Sequence, residues 1–321
     1  MTEEQKAPLS PVVSLFFGIL AVSSASLLIR FAQKEAPSLV IAAYRLAIAA
    51  VILAPFCFRR FKRDIVLTGW RTRSLLALSG IFLAFHFAFW ITSLEYTSVA
   101  SSVVLVTTAP LWVAIFSPIF LKEKLTRWIL IGLVFSMCGS IIVGLSSGCS
   151  FAGGRFVCEN LGAAFHGKAF WGDLMALAGA WLSAGYLMIG RKVRNHISLT
   201  SYIFSVYSVA AVTLLIMVWI AGEKLTGYSG QTYLWMILLA ILPQIIGHSV
   251  FNWALKYLSA AYVSIALLGE PVGSVILAMV LLHESPATME LIGGVLILIG
   301  IFLATRSEKA STQVDQSQVL Q

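Results

Sequence analysis

The stretch from Leu94 to Gly139 recurs without a gap as Leu255 to Gly300, 161 residues later. Tyr96, Ser98 and Ala100 return as Tyr257, Ser259 and Ala261, Pro110 as Pro271 and Glu123 as Glu284. Leu130-Ile131-Gly132 returns as Leu291-Ile292-Gly293, and Gly139 as Gly300. Agreement at one fixed spacing over such a length marks an internal duplication, so the two halves must fold alike. The match fails informatively at the charges: Lys122, Lys124 and Arg127 align with His283, Ser285 and Thr288.

With 59% hydrophobic and 11% charged residues and a mean hydropathy of +0.90, the chain lies outside the range of soluble domains. It reads as an all-α polytopic membrane protein. A bilayer core about 30 Å thick needs roughly 20 apolar residues per helix, and segments of that length fill most of the chain. The expected helices are 12–32, 39–58, 74–93, 99–121 and 128–147, then 171–190, 199–221, 232–254, 260–282 and 288–305. That is ten, five in each copy.

The net charge of +8 is explained by topology rather than by an anionic partner. Arg59, Arg60, Lys62, Arg63, Arg71 and Arg73 lie between the second and third helices, Lys122, Lys124 and Arg127 after the fourth, and Arg191, Lys192 and Arg194 after the sixth. Cations on one side of the membrane place both termini in the cytoplasm, and a nucleic-acid role is excluded. An odd number of helices per copy makes the second copy enter the membrane in the opposite sense. The expected architecture is therefore two inverted repeats, which explains the missing cations around His283: that loop faces outside.

The expected organisation is a first five-helix repeat over 1–147, an external loop over 148–170, a second repeat over 171–306 and a disordered cytoplasmic tail over 307–321. Acidic Glu3 and Glu4 before the first helix argue against a cleaved signal peptide. Cys149 and Cys158 share the external loop, and a disulfide between them is left open.

The runs PSLVIAAYRLAIAAVIL, LEYTSVASSVVLVTTAPLWVAIFSPIFLKEKLTRWILIG and KYLSAAYVSIALLGEPVGSVILAMVLLHESPATMELIGG together resemble the EamA-type family of the drug/metabolite transporter superfamily. Arg45, the Tyr-x-Ser-x-Ala starts at Tyr96 and Tyr257, Pro110, Pro271, Glu123 and Glu284 carry the likeness. The resemblance implies ten helices in two inverted repeats and solute transport, often export of amino acids or related metabolites. The same branch includes nucleobase, vitamin and cofactor permeases.

Glu270 is the costliest residue in the chain, a carboxyl near mid-depth between Gly269 and Pro271. A central acid costs roughly 2.5–3.5 kcal/mol on insertion scales, so it must face protein or water. It can bind a substrate amine, carry a coupling proton or be neutralised structurally; its counterpart is Ala109. Arg45 in the second helix can hold a carboxylate in a bidentate pair or clamp helices, with Glu270 or backbone carbonyls as partner.

Helix three shows Ser79, His86, Trp90 and Ser93, and helix eight shows Gln244, His248 and Asn252 at i, i+4 steps. Such stripes would be unsatisfied in lipid and are expected to line an aqueous cavity, with Trp181 and Tyr186 as an aromatic wall. Pro110 and Pro271 remove a backbone bond at the same place in each copy and suit paired hinges. Gly132 with Gly139, and Gly293 with Gly300, make flat faces for close packing, within the chain or in a homodimer.

No phosphate loop, metal-ligand spacing or nucleophile pair is present, so no cofactor and no metal is expected, and no enzyme. The expected function is a secondary carrier of small organic metabolites, an exporter of amino acids or similar zwitterions. Proton coupling through Glu270 and the histidines is left open. The alternatives are an importer of a nucleobase, vitamin or cofactor, and a membrane enzyme or structural component on the same scaffold.

Overall fold

The computed structural model describes residues 9–97, 102, 105–145, 149–152, 155–158, 168–281 and 288–319. In chain order the helices are α1 (Pro11–Val22), α2 (Ala25–Ala32), α3 (Ser38–Leu67), α4 (Trp70–Tyr96), α5 (Ala109–Phe120) and α6 (Arg127–Leu145). A two-stranded hairpin, β1 (Cys149–Ala152) and β2 (Arg155–Cys158), follows. Then come α7 (Lys168–Arg194), α8 (Leu199–Ala221), α9 (Gly230–Leu239), a π-helical segment (Ala240–His248), α10 (Ser249–Ala254), α11 (Ala260–Leu267), α12 (Glu270–Leu281) and α13 (Thr288–Val319). Among the described residues six helices are long and apolar enough to cross a membrane, and four shorter apolar helices accompany them.

Several expected spans differ in detail. The segment 12–32 is divided at Ser23–Ser24, where both hydroxyls donate to carbonyls one turn back, Ser23 to Ile19 at 2.7 Å and Ser24 to Ala21 at 2.8 Å. Such back-bonding competes with the helical ladder and bends it. The charged stretch after 58 does not form a loop: α3 continues to Leu67. Arg73 closes the corner to α4 by donating to the carbonyls of Ile65 (2.7 Å) and Thr68 (3.1 Å), which a helix C-terminus leaves without partners. The tail expected to be disordered continues α13 to Val319, since Glu308, Lys309, Ala310 and the glutamines of that stretch are good helix formers. In the loop between copies the backbone pairs Cys149 with Cys158 across the hairpin; their side chains lie outside the described residues, and so does Glu284.

Packing follows small residues, because lipid supplies no hydrophobic drive between helices. α3 lies on α8, α4 on α7, α6 on α13, and α1 on the π segment and α10. The α6–α13 contact uses the duplicated glycines. A Cβ at Gly132 would stand 2.6 Å from the Gly300 carbonyl oxygen, and one at Gly139 2.5 Å from that of Gly293, so only glycine fits. The two helices run antiparallel, and the glycine faces are used within the chain.

Antiparallel pairing recurs elsewhere. Along α4 and α7, Phe82 meets Gly185, His86 meets Gly179 and Thr97 meets Gly172. Asp64 near the end of α3 accepts from Ser198 (2.6 Å) and Ser201 (2.7 Å) at the start of α8. At the other end Tyr44 donates to the Leu225 carbonyl at 2.8 Å.

Candidate functional site

α5 and α12 each begin at a break. A turn at 107–108 precedes Ala109-Pro110, and a turn at 268–269 precedes Glu270-Pro271. Proline suits the first turn of a helix, where its missing N–H would lack a partner anyway. Each proline therefore starts a half-helix instead of bending a continuous one. The second break also puts Glu270 in the first turn of α12, where the helix dipole favours an anion. The Ser23 hydroxyl at the end of α1, whose single proton also serves the Ile19 carbonyl, lies 3.0 Å from the Glu270 carbonyl oxygen and can donate to it instead.

Beside these breaks lies a cavity of about 70 Å³, room for several waters at roughly 10–15 Å³ each. Its lining is drawn in pairs 161 positions apart: Val22 with Ser183, Val106 with Leu267, Thr107 with Leu268 and Ala109 with Glu270. Arg45, His86, Trp90, Pro110 and His248 also line it.

The polar groups around this cavity are incompletely satisfied. Arg45 is fully buried; its Nε donates to Gln244 Oε1 at 2.8 Å, and its guanidinium carbon stands 4.1 Å from the Phe87 ring centroid. Arg45 Nη1, Gln244 Nε2 and Trp90 Nε1 have no hydrogen-bond partner among the described residues. A buried donor left so costs about 1–3 kcal/mol. Arg45 and Glu270 form no salt bridge, although their charges act on each other, and among the described residues the Glu270 carboxylate accepts no hydrogen bond. His86 Nδ1 lies 2.9 Å from the Gly179 carbonyl. Since a carbonyl only accepts, Nδ1 carries the proton and Nε2 of the neutral ring is left as an acceptor. His86 stacks on Trp90 with centroids 6.0 Å apart and planes 14° apart.

The stripes expected to line one cavity divide. Of helix three, His86 and Trp90 reach it, whereas Ser79 bonds Tyr202 (2.9 Å) and Ser93 bonds Ser102 (2.6 Å). In helix eight the i, i+4 reading fails because the π segment closes i to i+5 bonds, and Pro243 lies inside it. His248 faces the cavity, Gln244 reaches Arg45, and Asn252 exchanges hydrogen bonds with Tyr186 (2.8 and 2.6 Å). Tyr186 thus anchors a helix contact. Trp181 is half exposed on the outer side of α7, edge-on to Trp112 at 5.1 Å. Pro271 is buried away from the lining, unlike Pro110. Ser183, Ser264 and Thr107 line the cavity and were not singled out from the sequence. Their only signal is position, within one or two turns of a helix break or at the counterpart of another lining residue.

The model of the EamA-like transporter family matches this chain twice, over residues 9–145 and 170–306. The chain belongs to that family. It is similar to an uncharacterized transporter of Archaeoglobus fulgidus, 24% identical over 286 residues, covering 87% of this chain and 92% of the relative. It is 27% identical over 248 residues to solute carrier family 35 member G1 of Mus musculus, covering 74% of this chain and 63% of that one. A crystal structure at 19% identity superposes with a TM-score of 0.73, over 94% of this chain and 98% of its own, which bears on the fold alone. This EamA-like protein is a multi-pass membrane transporter of small solutes, not an enzyme.

Proposed function

We propose that this EamA-like protein is a secondary carrier that exports amino acids or similar zwitterions by alternating access. It has ten spans in two inverted five-helix repeats and both termini in the cytoplasm, in the cytoplasmic membrane. The antiparallel α6–α13 contact supports the inverted repeats: Gly132 meets the counterpart of Gly139, and Gly139 meets the counterpart of Gly132. The paired lining of the cavity supports a site between the repeats, where many secondary carriers bind their solute.

One observation carries the choice of solute. Among the described residues Arg45 offers an N–H without a hydrogen-bond partner and Glu270 a carboxylate without a hydrogen bond or salt bridge, beside the same cavity. A carboxylate on the first and an ammonium on the second would satisfy both. His86 and Trp90 would pack against the remainder, with Gln244 holding Arg45. Stacked His86 and Trp90 would also suit the planar ring of a nucleobase or vitamin, which is the second reading.

Counterflow in proteoliposomes, with pooled labelled amino acids, nucleobases and vitamins and with or without a proton gradient, tests this. Saturable exchange of amino acids is expected. Exchange confined to a nucleobase or vitamin would replace the solute, and no exchange of any class by folded protein would remove the carrier reading for these solutes.

A further inference from the structure

The one ion pair among the described residues lies at one end of the bundle, beyond the cavity. Arg191 Nε donates to Glu123 Oε1 at 2.6 Å, both side chains partly buried. Arg191 Nη1 donates to the carbonyls of Leu255 (2.8 Å) and Lys256 (3.2 Å), and Glu123 Oε2 accepts the N–H of Ala260 at 3.2 Å. Two side chains thus tie four segments: the stretch after α5, the last turn of α7, the chain just after α10 and the first residue of α11.

Two of these helices also form the cavity. α7 places Ser183 on it, eight residues before Arg191, or about 12 Å at 1.5 Å per residue. α11 places Ser264 on it, four residues after Ala260, about 6 Å along the helix. A tie at this depth holds together the helix ends that would have to part for the cavity to open on that side.

The duplication supplies a comparison at the opposite end. Arg30 stands 161 positions before Arg191, Leu94 before Leu255 and Glu95 before Lys256. There the Arg30 side chain is exposed and has no partner among the described residues; Glu284, the counterpart of Glu123, lies outside them. Glu95 is engaged elsewhere, accepting the Ser38 N–H at 3.1 Å and the Ser38 hydroxyl. A fastened end at Arg191 and Glu123 is the arrangement of a carrier closed on that side.

We propose that Arg191 and Glu123 form a latch that closes the cavity to the cytoplasm, and that its release is the step that admits solute from that side. Arg30 is the matching arm at the outer end. Neither latch residue touches the solute; both act on access. The proposal rests on the carrier reading and orientation given above.

The test uses full-length protein with its four native cysteines replaced and a reporter at the cavity, Ser183→Cys. A membrane-impermeant maleimide is applied to right-side-out and inside-out vesicles. With the latch intact, labelling from the cytoplasmic face is slow relative to the outer face. Glu123→Gln is expected to raise the cytoplasmic rate about tenfold, the usual scale of a coupling between two states, and to lower the outer rate. The exchanged pair Glu123→Arg with Arg191→Glu should return both rates towards the parent, a rescue that a merely loosened protein would not show. Arg191→Lys, which keeps the charge and loses the fork onto the carbonyls, should lie between, and it carries the test if Glu123→Gln does not fold. An unchanged cytoplasmic rate, or an equal rise from both faces, would overturn the latch alone. No labelling from either face would overturn the carrier reading itself, so the two failures are distinguishable without any knowledge of the solute.

Discussion

The breaks at Ala109-Pro110 and Glu270-Pro271 share their geometry and differ in chemistry. Both begin a half-helix after a two-residue turn, at equivalent positions of the duplicate. Only the second carries a carboxylate, and only the first has a threonine in its turn lining the cavity, where Leu268 stands in the second. The duplication supplies the frame of the cavity, while divergence between the copies supplies its polarity. A site with two identical halves would offer the same groups to both ends of a solute. This one presents a guanidinium from one copy and a carboxylate from the other, which under the proposed function would let it distinguish the ends of a zwitterion.

The largest effect should come from the position where the copies differ most. Glu270→Ala is expected to lower counterflow kcat/KM by about 100-fold, the scale of a lost charged hydrogen bond, whereas Ala109→Ser stays within about twofold. Equal sensitivity at both breaks would show that the break, not the carboxylate, matters. Glu270→Gln should in addition abolish any pH dependence of flux if this carboxyl carries a coupling proton. Arg45→Lys should lower affinity about tenfold, because an ammonium cannot reproduce the planar fork that holds Gln244 while presenting a second N–H.

Where the copies agree, paired substitutions should agree too. Gly139→Val and Gly300→Val each force a Cβ into backbone or side-chain atoms of the partner helix, and each should destabilise by about 1–3 kcal/mol, read as thermal unfolding in detergent. Gly230→Ala, with nothing within 4 Å, should change stability by less than about 0.5 kcal/mol.

The smallest expected effect lies in a connection between helices. Glu35 accepts the Ser229 N–H (2.9 Å) and the Thr232 hydroxyl (2.8 Å), and the Ser229 N–H above all holds its carboxyl below the ordinary 4.5. A depressed carboxyl contributes stability above its unfolded value and loses it as pH falls through the lower folded value. Amide exchange at the start of α9 should therefore rise on acidification relative to a Glu35→Gln control, which should lack that response.

The duplication, the helical class and the proline positions were legible because periodicity and spacing are properties of sequence alone. That Arg45 is buried and that Glu270 faces the cavity follow from the cost of placing charge in a span. The fate of the polar stripes was not. Helical spacing says which residues share a face but not what that face meets, so Ser79, Tyr186 and Asn252 went to contacts between helices. The π segment shifted the register of Gln244 and His248 in a way that an α-helical period cannot anticipate, and Pro243 is its only local sign. Arg73 shows the same limit at the surface: it reads as a topology charge and also closes a helix end.

The central claim is that one cavity, charged unequally by the two copies, holds the solute. Its most direct test is a structure of the protein determined with an amino acid bound. The account predicts density in the cavity beside the breaks, with the carboxylate within hydrogen-bonding distance of Arg45 Nη1 and the ammonium against Glu270. Density elsewhere, or in the cavity with Arg45 and Glu270 both unengaged, would contradict it.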